Sequence, residues 1–320
     1  MRIGQNPAKF IKSVVQPQQV TVAVVTYIPI LSGYYAQSLD VLKVCLNSIW
    51  ENTVLPYDLM VFDNGSCPEV RNYLSEARDR GQIQYLVLSE KNIGKGGAWN
   101  FIFGAAPGEY IAYADSDVYF YPGWLAPQIE ILEIFPDTGM VTGMPMWTPS
   151  EFSTATVQWS EANPDVQLER GKFLAWEDYW HHARSLGADE VKARAHFDAS
   201  EDIVVIYDGK RYFVGAAHFQ FVARKRALQS VLPIPSQRPM GQVRLLDIAL
   251  NEHGYLRFST PEWWVQHMGN TLGAEFTSSG TEPAIKFARR GSRGIWGIKP
   301  IRGLVNWLYR RTFEILYRWG

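Results

Sequence analysis

The sequence predicts an α/β protein with a doubly wound, mostly parallel sheet, and three observations lead to this fold class. Continuously apolar, β-branched runs such as VTVAVVTY at 20–27 are typical of strands buried on both faces. Amphipathic segments with helical spacing alternate with these runs. Polar residues follow several of the runs, at the edge where open parallel sheets bind ligands. With 320 residues, the chain is long enough for one large domain or two smaller ones.

The first half of the chain is a regular alternation of predicted elements. Leu39, Leu42, Leu46 and Ile49 recur at helical spacing after the first strand, and Pro122 suits the first position of a helix. In chain order the elements are the strand 20–27, the helix 38–53, the strand and turn DLMVFDNGS, a polar helix near 67–80, the strand IQYLVLS, a helix near 97–106, the strand EYIAYADSD, a helix from Pro122 to about Phe135, and GMVTGMPMW at 139–147.

The alternation breaks beyond Thr148. Residues 148–200 are polar, rich in tryptophan and poorly periodic, which indicates an insertion that covers a site. The run IVVIYDGKRYFVG at 203–215 predicts a β-hairpin, because Asp208-Gly209 suits its tight turn. A helix near 242–253 then precedes GYLRFSTPEWWVQHMGN. The second half therefore departs from the doubly wound pattern.

The segment YIAYADSDVYF at 110–120 carries two aspartates, separated by one residue, at the end of an apolar run. In an extended chain Asp115 and Asp117 would point the same way, about 7 Å apart along the strand. Two like charges on one face repel each other unless a positive group lies between them, and a divalent cation carrying phosphate oxygens would serve. For Asp115-Ser116-Asp117 taken alone, a solvated turn is the commoner explanation. The neighbouring segments must therefore decide between a turn and a cation site.

Two further polar clusters would lie at the same edge of the sheet, and a third cluster is a glycine-rich loop that enters a helix. Thr26 and Tyr27 follow the first strand, and Asp63 follows the second, where it could accept a hydrogen bond from a base or a ribose hydroxyl. The third cluster is the glycine-rich NIGKGGAWN at 92–100, whose backbone amides could approach a phosphate at a helix N-terminus. A simple chain turn and a helix-entry turn are the structural alternatives for the last two clusters.

Together, these segments resemble the family 2 glycosyltransferases of the GT-A fold. The resemblance is carried, in that family's order, by VAVVTY, LKVCLNSIWENT, DLMVFDNGS, NIGKGGAWN, YIAYADSD and the later LLDIALNEHGY…QHMG. It covers roughly residues 20–270, although 148–200 match no segment of the family pattern. The resemblance implies an N-terminal extension at 1–19, a nucleotide-sugar-binding half at 20–147, an acceptor-binding and catalytic half at 148–270, and a basic amphipathic tail at 271–320.

The resemblance also implies roles for residues that match the family's motifs. Asp117, in the DXD motif, would bind a Mg²⁺ or Mn²⁺ ion that bridges the diphosphate, and His267 falls where some members supply a histidine to the metal. Asp247 in LLDIAL would deprotonate the acceptor hydroxyl, although Leu246 stands where the family often has Glu. The candidates for nucleotide contacts, of which Asp115 is assigned to the ribose or the metal shell, are Thr26, Tyr27, Asp63, Asn92, Lys95, Asp115 and Ser116.

From the residues alone, a purely structural role remains an alternative for several of these positions. Asp247 could be an exposed helix aspartate, and His267, between tryptophan and methionine neighbours, could be a core histidine. His181, His182 and His218 lack the i, i+4 spacing of metal-binding helices and are interpreted as structural.

The implied activity is that of a metal-dependent inverting glycosyltransferase. It would move a sugar from a UDP-, GDP- or dTDP-sugar to a lipid-linked or polysaccharide acceptor, with a cation stabilising the leaving diphosphate and a carboxylate taking the acceptor proton. A sugar nucleotidyltransferase is one alternative, but it would need a glycine- and arginine-rich loop after the first strand, which TYIPILSGYY lacks. A non-catalytic membrane scaffold is another, and the presence of Asp117 and Asp247 argues against it.

Composition predicts a cytoplasmic protein with a basic tail. Cys45 and Cys67 lack metal-ligand spacing and indicate reduced thiols, the N-terminus lacks a secretion signal, and no apolar run is long enough to span a membrane. Residues 285–320 carry nine Lys or Arg against Glu314, interleaved with aromatic and aliphatic residues, as in a helix on the inner face of an anionic membrane. This helix could instead pack on its own domain or on a partner subunit. Nucleic acid is not expected, because the body of the chain is acidic.

Overall fold

The structure is a computed structural model that describes residues 3–240, 242–273 and 276. Within these ranges the strands are β1 (Val20–Thr26), β2 (Tyr57–Asp63), β3 (Tyr85–Leu88), β4 (Tyr110–Asp115), β5 (Val118–Phe120), β6 (Thr138–Thr142), β7 (Gln167–Gly171), β8 (Asp202–Tyr207), β9 (Lys210–Val214), β10 (Gln220–Arg224), β11 (Leu256–Ser259) and β12 (Val265–His267). The α-helices are α1 (Ser38–Asn52), α2 (Pro68–Asp79), α3 (Gly94–Ala105), α4 (Leu125–Ile134), α5 (Thr154–Ala162), α6 (Trp176–Ser185), α7 (Glu190–Ala199), α8 (Lys225–Gln229) and α9 (Arg244–Glu252). Short 3₁₀ helices lie at Pro7–Phe10, Gly33–Tyr35 and Ser150–Phe152.

Ten strands form one mixed sheet in the order β3-β2-β1-β4-β10-β6-β11-β9-β8-β7. β3, β2, β1 and β4 are parallel, as are β6 and β11, and β10 runs antiparallel between β4 and β6. β9, β8 and β7 continue as an antiparallel meander, and β5 pairs with β12 in a separate ribbon. The predicted α/β class with a mostly parallel sheet is confirmed.

Side chains alternate between the two faces of the sheet along each buried strand. Because both sets are apolar here, helices cover both faces. In β1, Val22 and Val24 belong to a core formed with α1, α2 and α4, whereas Ala23 belongs to a second core formed with α3, α8 and α9. Leu46 of α1 and Trp99 of α3 are fully buried in these two cores. Burying a large apolar side chain stabilises a fold by about 1.5–3 kcal/mol, so the first strand anchors two hydrophobic layers at once.

Two helix boundaries differ from the predictions. The helix predicted from Pro122 begins at Leu125, because Gly123 has a left-handed φ of +80° and donates its N–H to the carbonyl oxygen of Asn52 at 3.0 Å. A left-handed residue does not continue a right-handed helix, so Pro122 belongs to the preceding turn. The helix predicted near 97–106 begins earlier, at Gly94, so the glycine-rich segment forms its first turn.

The second half of the chain is more regular than its sequence indicates. Residues 148–200, predicted to be a poorly periodic insertion, contain α5, β7, α6 and α7. The predicted hairpin at 203–215 is formed by β8 and β9, and Asp208 and Gly209 at its turn have φ of 49° and 69°, as a two-residue hairpin loop requires. β10 and α8 were not predicted, because each spans five residues and is too short to show a period.

In the described ranges, no helix is both long enough and apolar enough to cross a membrane. The basic tail at 285–320, with its predicted amphipathic helix, lies outside the described residues.

Two exposed glycines provide a matched test of the backbone geometry. Gly209 has a φ of +69°, Gly104 of α3 has no left-handed φ, and for neither does any atom of the described residues lie within 4 Å of an added Cβ. We expect Gly209→Ala to lower the free energy of unfolding by about 1–2 kcal/mol. Gly104→Ala should raise it by about 0.5–1 kcal/mol, because alanine is the better helix former. Chemical denaturation measures both values, and changes of equal sign would contradict the assigned conformations.

Candidate active site

The carboxyl ends of β1, β2 and β4 bring three predicted site residues side by side. In the parallel register Thr26 pairs with Asp63, and Val25 pairs with Asp115. The backbone N–H of Asp115 donates to the carbonyl oxygen of Phe219, just before β10, at 2.8 Å. The edge at which open parallel sheets bind ligands therefore combines acids from the first half of the chain with residues from the second.

Both side-chain oxygens of Asp115 contact neighbouring side chains. Lys95 Nζ lies 2.6 Å from its Oδ2, and the Tyr113 hydroxyl donates to its Oδ1 at 2.6 Å. Burial, and then the charge of Asp115, raise the pKa of Tyr113 well above its ordinary value, so this hydroxyl keeps its proton. The Lys95 ammonium also lies over the rings of Trp99 and Tyr113. Of the two aspartates, Asp115 is thus the less available to a cation.

Asp117 does not share a strand with Asp115, and the prediction that both side chains lie along one extended strand is wrong. β4 ends at Asp115, and Ser116 and Asp117 form a turn before β5. Asp117 Oδ2 lies 3.2 Å from His267 Nε2, whereas Asp117 Oδ1 is buried without a hydrogen-bond partner among the described residues. Burial by itself would raise the pKa of Asp117, but the charge and hydrogen bond of His267, helped by Lys95, outweigh burial and lower that pKa.

His267 reaches Asp117 because β12 pairs with β5. Its other ring nitrogen, Nδ1, lies 3.0 Å from Ser185 Oγ, and the Ser185 hydroxyl donates to the carbonyl oxygen of His182 at 2.7 Å. Ser185 therefore accepts from Nδ1–H, which leaves Nε2 of His267 facing Asp117. Burial opposes a charge on His267, but the charge and hydrogen bond of Asp117 outweigh burial and raise the pKa of His267.

α6 packs the 148–200 segment directly onto this site. Ser185 is its last residue, and the ring of His182 lies 6.0 Å from the ring of His267 and 5.2 Å from that of Phe219. Burial, and then the charges of His267 and His181, lower the pKa of His182 to about 3, so its ring is neutral at ordinary pH. This segment therefore supplies part of the surroundings of the predicted metal ligand.

Asp117 and His267 fit a divalent cation whose other ligands come from elsewhere. A buried carboxylate oxygen with no partner in the described part of the chain, next to an imidazole nitrogen, is a donor pair that Mn²⁺ or Mg²⁺ accepts. In the described ranges, no group of three or more His, Cys, Asp or Glu side chains is arranged to hold a metal ion. A cation here would therefore need oxygen ligands from a bound molecule, such as those of a diphosphate.

Asp63 is held inside the turn that follows β2. It is fully buried, and its oxygens accept from the backbone N–H of Ser66 at 3.1 Å and from Arg71 Nε at 3.2 Å. Asn64, also buried, donates to Asn92 Oδ1 at 3.0 Å and so ties this turn to the start of α3. The carboxylate of Asp63 thus already accepts hydrogen bonds from the protein itself. Its contact with a nucleoside stays a prediction.

The glycine-rich first turn of α3 is packed tightly against a later loop. Asn92 Oδ1 accepts the backbone N–H of Gly94 at 2.8 Å. A Cβ on Gly94 would lie 2.5 Å from Ser236 Oγ, and a Cβ on Gly96 would lie 2.8 Å from the carbonyl oxygen of Pro235. Close chain packing therefore requires these glycines, whatever their amides bind, and the nucleotide contact of Asn92 stays a prediction.

The three other predicted nucleotide contacts differ in exposure. Thr26 is buried, and its Oγ1 has no hydrogen-bond partner in the described part of the chain. Tyr27 is exposed and packs edge-on against the ring of Tyr35. Ser116 is half-buried in the turn between the two aspartates. All three lie at the carboxyl edge of the sheet, as the prediction requires, and their ligands stay predictions.

Asp247 lies near the start of α9 and is buried, so the alternative of an exposed helix aspartate is wrong. Arg257 Nη2 lies 2.8 Å from Asp247 Oδ1, but the guanidinium directs its N–H groups at the carbonyl oxygens of Phe152 and Ala216. The contact is thus an ion pair without an aligned hydrogen bond. Burial lowers the pKa of Arg257, and the charge of Asp247 opposes that effect. His218 Nδ1 lies 3.4 Å from the other carboxylate oxygen, Oδ2.

Ser185, His218 and Arg257 join the site although the sequence did not assign them to it. Ser185 and His218 have no motif around them, and their partners are distant in the chain. Arg257 did carry a signal, because it is a lone basic residue inside the strand LRFS. A buried charge of this kind requires an opposite charge or several hydrogen bonds.

The fold and the site define an α/β protein that gathers acidic and basic side chains at the carboxyl ends of the strands, the edge where open sheets of this kind bind ligands. Residues 34–186 match the family model described as Glycosyl transferase family 2. Over these residues the chain is similar to this glycosyltransferase family. The match includes the turn after β2, the start of α3 and both aspartates of the DXD segment, and it ends before Asp247 and His267.

Among known proteins, an uncharacterized glycosyltransferase of Nostoc sp. (strain PCC 7120) is 27% identical over 153 residues, which are 46% of this chain and 46% of that protein. The chain thus spans about half the length of this curated relative. S. aureus TarS 1–349 in complex with UDP-GlcNAc has a TM-score of 0.47 at 13% identity, covering 83% of this chain and 62% of that one. Mannosyltransferase PcManGT from Pyrobaculum calidifontis, in complex with GDP-Man and Mn²⁺, has a TM-score of 0.45 at 16% identity, covering 77% and 55%.

Removal of Arg257 tests the buried ion pair. Arg257→Met keeps an extended side chain but leaves the Asp247 carboxylate buried without its cation, so we expect the free energy of unfolding to fall by about 3–5 kcal/mol. Adding Asp247→Asn should recover part of this loss, because the stranded charge is removed. Denaturant unfolding of both single variants and the double variant measures the coupling. Strictly additive effects would contradict a direct pair.

Proposed function

We propose that the protein is a metal-dependent inverting glycosyltransferase that moves a sugar from a nucleoside diphosphate sugar to a glycan or glycolipid. The observation that carries this proposal is Asp117 Oδ1, which is buried beside His267 and has no partner among the described residues. Buried polar atoms are nearly always satisfied, and a cation carrying a diphosphate would satisfy this one. The match to glycosyl transferase family 2 over 34–186 supports the same chemistry.

The donor side of the proposed site lies around the DXD turn. Asp117 and His267 would hold Mg²⁺ or Mn²⁺, and such an ion stabilises the charge that develops on the diphosphate as the glycosyl bond breaks. Lys95, paired with Asp115, and the first turn of α3 add positive potential on the side where phosphate oxygens would lie. UDP-, GDP- and dTDP-sugars all present this diphosphate, so the proposal names a class of donor.

Proton removal is assigned to the Asp247 end of the site. Arg257 holds this carboxylate in place through the ion pair at 2.8 Å. A base on the side opposite the leaving group takes the proton of the acceptor hydroxyl while the hydroxyl oxygen attacks the anomeric carbon. A single displacement of this kind inverts the anomeric configuration.

The proposed acceptor is a lipid-linked or polysaccharide glycan at a membrane surface. The support is the composition of residues 285–320, which lie outside the described ranges and carry nine Lys or Arg against Glu314 with aromatic residues between them. A basic amphipathic helix binds anionic lipid interfaces. Such binding would hold a cytoplasmic enzyme at the inner face of the membrane.

Asp117→Ala tests the donor site. We expect Mn²⁺-dependent binding of UDP or GDP to be lost, because the cation would keep His267 as its single predicted protein ligand. Calorimetry with and without Mn²⁺ measures the binding, and Asp79→Ala, at an exposed aspartate of α2, is the matched control. Unchanged metal-dependent affinity in Asp117→Ala would end the assignment of the cation site. A wild-type chain that binds no nucleoside diphosphate would end the proposed function.

Asp247→Asn tests whether proton removal depends on this carboxylate. Asparagine keeps the size of the side chain but cannot act as a carboxylate, so we expect turnover to fall at least about 100-fold while donor and metal binding persist. Release of nucleoside diphosphate measures turnover, calorimetry measures binding, and near-UV circular dichroism confirms that the variant is folded. Near-normal turnover with intact binding would contradict the assignment.

A further inference from the structure

Asp247 is poorly placed to meet an acceptor hydroxyl by itself. Its side chain is 6% exposed, its Oδ1 lies 2.8 Å from Arg257, and its Oδ2 faces His218 Nδ1 at 3.4 Å. Oδ1 is buried and Oδ2 already faces a ring nitrogen, so an acceptor hydroxyl has little access to this carboxylate. A general base must lie within hydrogen-bond reach of the proton that it accepts. A more accessible side chain beside Asp247 is therefore better placed to accept the proton of the acceptor hydroxyl.

His218 is the exposed member of this cluster. Its side chain is 32% exposed, whereas those of Asp247 and Arg257 are 6% and 1% exposed. Because Nδ1 of the ring faces the carboxylate, Nε2 lies on the far side of the ring and points away from Asp247. A buried carboxylate that holds one ring nitrogen and leaves the other free is the arrangement that fixes the tautomer of a histidine base.

The backbone places His218 next to the donor side of the site. The following residue, Phe219, accepts the backbone N–H of Asp115 at 2.8 Å, and its ring lies 5.5 Å from the ring of His267. His218 therefore contacts Asp247 on one side and adjoins, along the chain, a residue that touches the predicted cation ligand. Such a position suits a base that acts on a hydroxyl attacking a bound donor.

We infer that His218 is the catalytic group that accepts the acceptor proton and that Asp247 orients it; this inference rests on the proposed function. The acceptor oxygen forms a bond to the anomeric carbon, the bond from that carbon to the diphosphate oxygen breaks, and the electron pair leaves with the diphosphate. The hydroxyl proton moves to Nε2 of His218, while Nδ1–H stays on Asp247 Oδ2. The resulting imidazolium is paired with the carboxylate and then releases its proton to solvent.

His218→Asn tests the inference by its effect on rate, because asparagine can still donate to Asp247 but has no basic nitrogen. The probes are UDP-glucose, UDP-N-acetylglucosamine and GDP-mannose with Mn²⁺, and the readout is release of nucleoside diphosphate by transfer to water. We expect a loss of about 10²- to 10⁴-fold with unchanged donor affinity by calorimetry. His253→Asn, at an exposed histidine after α9, should leave the rate unchanged. A near-normal rate in His218→Asn with intact donor binding overturns the inference and leaves Asp247 as the direct base.

The tautomer of His218 supplies a second measurement that does not depend on turnover. Nitrogen–proton correlation spectra of the histidine rings should show the neutral Nδ1–H form for His218 in the wild-type chain. A neutral Nε2–H form would leave no lone pair toward the acceptor and would overturn the inference even if no transfer to water is detected. A wild-type chain that binds none of the three donors overturns the proposed function itself, so the two failures are distinguishable.

Discussion

The antiparallel pairing of β10 with β4 is the contact on which the arrangement of the site depends. A parallel neighbour would begin at the edge where β4 begins, whereas β10 begins where β4 ends, with Gln220 opposite Ala114. The segment that leads into β10 therefore passes beside the DXD turn at the carboxyl edge of the sheet. One reversal of strand direction brings His218 and Phe219, from the second half of the chain, to the acids of the first half.

The same edge concentrates charge that the fold has to neutralise. Each of the four site aspartates lies near one basic side chain, at 2.6–3.2 Å, and the pairs are Asp63–Arg71, Asp115–Lys95, Asp117–His267 and Asp247–Arg257. Isolated buried charges are costly, so this pairing allows a largely apolar fold to keep an acidic edge. Within the described residues, Asp117 differs because one of its oxygens has neither a charged nor a hydrogen-bonding neighbour. Asp247 Oδ1 also lacks a hydrogen bond, but the guanidinium of Arg257 lies 2.8 Å from it.

The sequence predicts an element well where its pattern extends over many residues. It fails where the position of a side chain depends on a contact with a distant part of the chain. The continuous apolar run VTVAVVTY and the helical periods of 38–53 each extend over many residues, and both elements form close to their predicted bounds. The expectation for Asp117 fails because the pairing of β4 with β1 ends at Asp115, so no neighbouring strand holds the next residues extended. His218 carries no local signal, because its contact with Asp247 arises from residues 29 positions apart. The order of motifs predicts the family, but the partners of each side chain require the folded chain.

Ser185 contacts His267 across 82 positions of sequence, from a segment in which no family motif is visible although the family match extends to residue 186. Inserted segments in enzymes that share a scaffold are often treated as modules, which can be exchanged without effect on the common centre. Here the last residue of α6 contacts a ring nitrogen of His267, whose other ring nitrogen lies beside Asp117, so residues 148–200 are not interchangeable in that sense. A chimaera with a foreign segment at this position would have to bring a hydroxyl to the same point to keep the contact with His267.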